Sequence, residues 1–160
     1  LGFAKLSLKG RALRLLAQRE HSRGELEAKL ARHVQEGDDL AALLDELQAK
    51  DFLNAERAAD AIVHRRAARF GSLRVLREMR EKGIDEELVR AAGRELAQTE
   101  MERARAVWQQ RFGSAPPART AQERARQLRF LAARGFASDV VARVVREAGA
   151  AGLDDDDPAP

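Results

Sequence analysis

Residues able to do chemistry are scarce and scattered in this chain. His21, His33 and His64 stand too far apart to put two imidazoles at i and i+4, and none belongs to a carboxylate cluster of metal-ligand form. There is no cysteine, which excludes thiol chemistry, disulfides and Cys-ligated metal. Gly24, Gly71, Gly83, Gly93 and Gly135 are isolated and no GK[ST] sequence occurs, so no phosphate loop is indicated. The paired carboxylates Asp38-Asp39 and Glu86-Glu87 sit at expected helix starts, where the helix dipole accounts for them. No catalytic, cofactor-binding or metal-ligating residue is therefore expected, and the chain reads as a non-enzyme.

Arginine is the exception. Arg65, Arg66, Arg69, Arg74, Arg77, Arg80 and Lys82 are packed more densely than a solvated face needs, and Arg126, Arg129 and Arg134 repeat part of that set further on. Guanidinium groups present planar forks to carboxylates and phosphates, so Arg65, Arg66, Arg69, Arg74, Arg77, Arg126, Arg129 and Arg134 are the candidate partner-binding residues. Arg74 with Glu78 and Arg77 with Glu81 also have the spacing of ordinary helical ion pairs. The formal net charge is only +3 over 160 residues, but its sign alternates in blocks: 1–33 basic, 34–56 acidic, 57–82 basic, 83–102 acidic, 103–153 basic, then Asp154-Asp155-Asp156-Asp157. Basic blocks point to an anionic partner, either nucleic acid or an acidic protein surface.

The elements that must position these arginines are helices. Ala, Leu, Arg and Glu dominate, Tyr is absent, and Ile and Thr are rare, so the fold class is all-α. Ser22-Arg23-Gly24-Glu25, Thr99-Glu100-Met101-Glu102 and Thr120-Ala121-Gln122-Glu123 fit the capping box, while Asn54 and Asp85 are expected N-caps. Gly83 and Gly135 mark helix stops. These signals predict nine helices, at 7–20, 22–33, 38–50, 54–70, 72–82, 85–98, 99–112, 120–134 and 137–148. Core stripes are expected from Leu13, Leu16 and Ala17; Leu40, Leu43, Leu44 and Leu47; Leu76 and Met79; Leu128 and Leu131; and Val140, Val141, Val144 and Val145, with Trp108 as an anchor.

The segment Arg74 to Ile84 aligns without a gap on Arg126 to Phe136, and the weight lies in Gly83 and Gly135, each following a basic residue and preceding a large apolar one. A looser first copy places Leu26 and Leu30 over Val75 and Met79, with Val34-Gln35-Glu36-Gly37 in place of the tight stop. The chain is thus expected to be three tandem three-helix repeats: 1–53, 54–98 and 99–148, with a disordered acidic tail at 149–160. Repeats of this size share cores with their neighbours, which predicts an elongated, curved helical array.

At this point the chain resembles the RecX family. The resemblance rests on Ser22-Arg23-Gly24-Glu25-Leu26 with Lys29-Leu30, on Leu44-Asp45-Glu46-Leu47, and on Asp51-Phe52-Leu53-Asn54-Ala55-Glu56-Arg57-Ala58. It continues through Phe70-Gly71 into Arg74 to Ile84, and through Arg129 to Phe136. Departures are Val34 to Gly37, where the family has a Gly-aromatic stop, and Ala59, where an aromatic is common. The resemblance implies a regulator that binds the RecA–DNA filament and lowers its ATPase, strand exchange and co-protease activity, with possible direct DNA contact and no cofactor. Two other readings stay open on the residues alone: a direct DNA-binding helical protein and a protein-interaction solenoid. Arg or Lys interrupts every stretch long enough to span a bilayer, and no apolar signal core opens the chain, so a cytoplasmic protein without membrane contact is expected, and with no long a/d seam beyond the core a monomer is expected.

Overall fold

Strong helix formers punctuated by caps and glycine stops give a chain of helices, and a computed structural model describes residues 6–151 in that form. Among the described residues there are eight helices and no strand: α1 (Leu8–Gln18), α2 (Arg23–Ala31), α3 (Leu40–Ala49), α4 (Ala55–Arg66), α5 (Ser72–Glu81), α6 (Glu86–Phe112), α7 (Ala121–Ala133) and α8 (Ser138–Ala151). The Asp154 to Asp157 run lies outside the described residues, while α8 continues through Gly149 and Ala150, beyond its expected end.

Caps account for most starts. Ser22 and Thr120 both close complete capping boxes, each accepting from the N3 amide while Glu25 or Glu123 accepts from the cap amide. Asn54 Oδ1 accepts from the Arg57 amide at 3.0 Å as an N-cap should. Thr99 departs from expectation. No break occurs there, and α6 runs 27 residues straight through it. The Thr99 hydroxyl bonds back to the Leu96 carbonyl at 3.4 Å and accepts from Arg103 Nε at 3.1 Å, so it serves an uninterrupted helix.

The chain forms two compact units. One takes the described residues up to Ile62 together with Glu78–Arg90, and the other takes Val63–Arg77 together with the described residues from Ala91 onward, so the division falls inside α4, α5 and α6. In the first unit α2 packs on α1 and α3 around Leu8, Ala12, Leu26, Leu30, Leu44, Leu47 and Leu53. In the second, α7 and α8 pack around Ala104, Val107, Leu131, Phe136, Val141, Val144 and Val145.

Each unit contains one of the repeated glycine stops, and in each the stop receives the start of an earlier helix. In the first, the Ser22 hydroxyl donates to the Lys82 carbonyl and Gly24 lies against Lys82 and Gly83. In the second, the Gly71 amide donates to the Arg134 carbonyl at 2.9 Å and the Leu73 amide to the Gly135 carbonyl at 3.0 Å. Gly83 and Gly135 have φ of +73° and +85°, the left-handed region that ends a helix and turns its last carbonyls outward. The stop is therefore also a docking point made of backbone.

In α5 and α7 Met79 and Leu131 are buried as expected, while the other position of each stripe is displaced by one residue. Val75 and Met79 are buried with Leu76 only half-buried, and Gln127 and Leu131 are buried while Leu128 is 36 % exposed. Gln127 is tolerated inside because its Oε1 accepts from Trp108 Nε1 at 3.0 Å. Ala17 in α1 is likewise exposed, its expected place taken by Leu8 and Ala12.

Candidate partner-binding site

The second unit carries an arginine–aromatic arrangement whose parts come from the end of α4, the start of α5, the middle of α6 and the end of α7. Phe70 lies in the turn between α4 and α5, and Arg103 of α6 binds the backbone of that turn. Arg103 Nη1 donates to the carbonyls of Ala67 at 3.0 Å and Phe70 at 2.8 Å, and Nη2 to Ser72 Oγ at 3.2 Å and Leu96 O at 3.0 Å. One guanidinium thus satisfies two carbonyls of the turn that follows α4 and ties that turn to α6. Burial pushes Arg103 below its ordinary basicity, and the nearby Glu100 charge opposes that shift. It stays protonated, as arginine does in proteins.

Glu100 completes the scaffold. It is buried, and its Oε1 accepts from the backbone amides of Ser72 at 3.1 Å and Ala137 at 3.3 Å, which open α5 and α8. A carboxylate at two helix N-termini complements both dipoles. The same two α6 residues, Glu100 and Arg103, hold the turn that displays Phe70.

Four guanidinium groups gather on the Phe70 ring: Arg74 at 4.0 Å from its centroid, Arg134 at 5.6 Å, Arg66 at 5.7 Å and Arg69 at 6.0 Å. Arg134, the C-cap of α7, also lies 4.9 Å from the Phe130 ring, and its Nη1 donates to the Arg69 carbonyl at 3.3 Å. Phe130 meets Phe112 edge-on at 5.3 Å, and Phe112 meets Trp108 at 6.1 Å. Cations within about 6 Å of a ring face are attracted by its quadrupole without spending their N–H groups, which stay able to meet a ligand. Like charges brought this close repel, and the ring quadrupoles offset part of that cost.

Of the residues singled out from the sequence, the structure brings Arg66, Arg69, Arg74 and Arg134 together on Phe70. Arg65 is exposed on α4 and Arg77 on α5, while Arg126 and Arg129 are exposed on α7. Sequence reasoning missed Arg103, Glu100, Phe112 and Arg111 as parts of this arrangement. Glu100 falls between Thr99 and Glu102 of the expected capping box with no part in it, and no local pattern announces a side chain that caps two distant helices. His21 is 1 % exposed, with Nδ1 2.9 Å from the Arg19 carbonyl and Nε2 3.3 Å from Lys29 Nζ. Among the described residues no group of three His, Cys, Asp or Glu is placed to hold a metal, and no helix is long and apolar enough to cross a membrane.

Residues 9–47 match the model of the first three-helix domain of RecX, and residues 98–145 that of the third. Regulatory protein RecX of Leptothrix cholodnii is 52% identical over 142 residues, covering 89% of this chain and 89% of that one. The Ralstonia nicotianae protein of the same name is 46% identical over 153 residues, covering 96% and 95%. The crystal structure of RecX from Lactobacillus salivarius shares the fold with a TM-score of 0.72 at 18% identity, over 88% of this chain and 94% of that chain.

Proposed function

The chain belongs to the RecX family of regulatory proteins, and from that premise we propose that it binds RecA nucleoprotein filaments and lowers their ATPase, strand-exchange and co-protease activities. The action is binding rather than catalysis, needs no cofactor, and takes place in the cytoplasm with the protein as a monomer. It would thereby modulate DNA repair and the SOS response.

The observation that carries this reading is the gathering of Arg66, Arg69, Arg74 and Arg134 on one ring, with Arg65, Arg77, Arg126 and Arg129 exposed on the neighbouring helices of the same unit. A filament of protein and DNA offers both carboxylates and phosphates, and guanidinium forks suit either. Binding through such groups contacts DNA as part of the filament, and it should weaken as salt rises.

The test is the DNA-dependent ATPase of a matched RecA, titrated with this protein at low salt. Inhibition at substoichiometric protein is expected. An ATPase unchanged with protein in excess over RecA would remove the assignment for this chain. Affinity measured separately for DNA alone, RecA alone and the assembled filament should be highest for the filament; equal affinity for bare DNA would favour a direct DNA-binding protein.

A further inference from the structure

Beside Phe70 the second unit contains a groove of about 280 Å³ lined by Arg69, Val107, Gln110, Arg111, Phe130 and Arg134. Three of its six lining residues are arginines, and no carboxylate is among them. Elsewhere the protein meets arginine with carboxylate: Arg19 with Glu25, Arg57 with Glu20 and Asp51, Arg80 with Glu86, and Arg105 and Arg143 with Glu147. Here aromatic faces take that place. Arg69 lies over Phe70, Arg134 over Phe70 and Phe130, and Arg111 over Phe112 at 5.4 Å. Because Phe112 packs edge-on against Phe130, the rings beneath Arg111 and Arg134 form one support.

We propose that this groove is a binding site for a phosphate monoester, with Arg69, Arg111 and Arg134 as its cationic walls and Phe130 and Val107 as its apolar floor. The charge balance selects the class. A carboxylate or a bridging phosphodiester brings a single negative charge, which one guanidinium fork already matches. A terminal phosphate carries a charge of about −1.5 to −2 near pH 7 and three acceptor oxygens, and so uses three guanidiniums. Gln110 adds an amide able to donate to a remaining oxygen or to the ester group. Attraction to the neighbouring rings draws the cations together before the ligand arrives, which lowers the ordering cost of binding. The organic part of the ester rests against Phe130 and Val107. Two sources share this chemistry, the terminal phosphate of a DNA strand and a free nucleoside monophosphate. The inference rests on the arginine set being the protein's partner-binding surface and narrows it to one ligand class.

The test uses the full chain, with Trp108 fluorescence and anisotropy of a labelled single-stranded oligonucleotide as readouts. The same oligonucleotide is compared with a 5′-phosphate and with a 5′-hydroxyl, and AMP is compared with adenosine. Preference for the phosphorylated member of either pair by about tenfold or more is expected; preference in the first pair alone identifies a strand end, and in the second alone a free nucleotide. Arg111→Gln should abolish the preference, Arg111→Lys should keep part of it, and Arg143→Gln, on the exposed face of α8, should leave it intact. Circular dichroism checks that each variant folds. No preference in either pair, or a preference that survives Arg111→Gln in a folded protein, overturns the proposal. Inhibition of RecA on circular single-stranded DNA, which has no terminal phosphate, reports on the regulatory reading alone. Inhibition there without any phosphate preference sinks the groove and leaves that reading standing, whereas a phosphate preference without inhibition does the reverse.

Discussion

The carboxylate of Glu100 accepts the backbone amide of Ser72 at 3.1 Å, joining α6 to the first residue of α5 across the buried interior of one unit. The same oxygen accepts from Ala137 at the start of α8, so its removal strands two helix-terminal amides at once. Glu100→Ala should therefore cost about 2–4 kcal/mol in urea unfolding, since each orphaned buried donor costs roughly 1–3 kcal/mol. Glu100→Gln keeps a carbonyl acceptor without the charge and should lose less. A Glu100→Ala midpoint equal to wild type would mean that water replaces the carboxylate without cost.

Gly83 and Gly135 end equivalent helices at similar φ, yet their surroundings differ. A Cβ on Gly135 would lie 2.4 Å from Arg74 Cβ, whereas one on Gly83 would meet only Gly24 Cα at 3.7 Å. Gly83→Ala should cost the left-handed strain alone, about 1–2 kcal/mol. Gly135→Ala should add an overpacking cost of about 1–3 kcal/mol and should displace Arg74 from Phe70. Chemical denaturation of the two variants checks the order; equal losses would show that the α5 start moves freely away from the stop.

Acid should destabilise the first unit in two stages. Burial lowers the His21 pKa from 6.5, and the charges of Arg19 and Lys29 add to that effect against the hydrogen bond to the Arg19 carbonyl. A histidine kept neutral in the folded state favours folding above its unfolded pKa, and that contribution is lost as pH falls below about 6.5 because the unfolded chain then binds the proton more readily. For Glu25, burial opposes ionisation, but the hydrogen bonds from Arg19 and Ser22 and the charges of Lys82 and Arg19 outweigh it and hold the pKa at about 2. Its contribution is present above pH 4.5 and disappears as pH falls from there towards about 2. Thermal midpoints measured from pH 8 to pH 3 should fall first near the histidine range and again in the carboxylate range. His21→Asn, which can still donate to the Arg19 carbonyl, should flatten the first fall only.

Charge reversal separates binding from folding. Arg74, Arg77, Arg126 and Arg129 are all exposed, so changing the four to Glu should leave helicity nearly intact while weakening filament affinity by about tenfold or more. A triple Arg66→Gln, Arg69→Gln, Arg134→Gln variant, which strips three cations from Phe70, should weaken it further and reduce its salt dependence. Circular dichroism and filament binding across a salt series distinguish the cases. If the quadruple variant binds normally and the triple one does not, the contact lies with Arg66, Arg69 and Arg134 and does not use Arg74 or the exposed arginines of α5 and α7.

Sequence by itself determined the all-helical class, the caps at Ser22, Asn54 and Thr120, the stops at Gly83 and Gly135, and the family, because each depends on local chemistry or on short blocks in fixed order. It also marked Arg66, Arg69 and Arg74 by density and Arg134 by the internal repeat. Tertiary structure decided the rest. Thr99 and Glu102 have the spacing of a capping box, but a helix whose next turns are good formers continues through such a pattern, and Glu100 is drawn instead to amides that arrive from α5 and α8. Gln127 is buried and Leu128 exposed because Trp108, distant in sequence, supplies the hydrogen bond that makes an amide acceptable inside. Arg66, Arg69 and Arg74 lie within four residues of Phe70, but Arg134 joins them only because the α5 start makes backbone contact with the Gly135 stop, and a contact between residues this far apart leaves no periodicity along the chain to read.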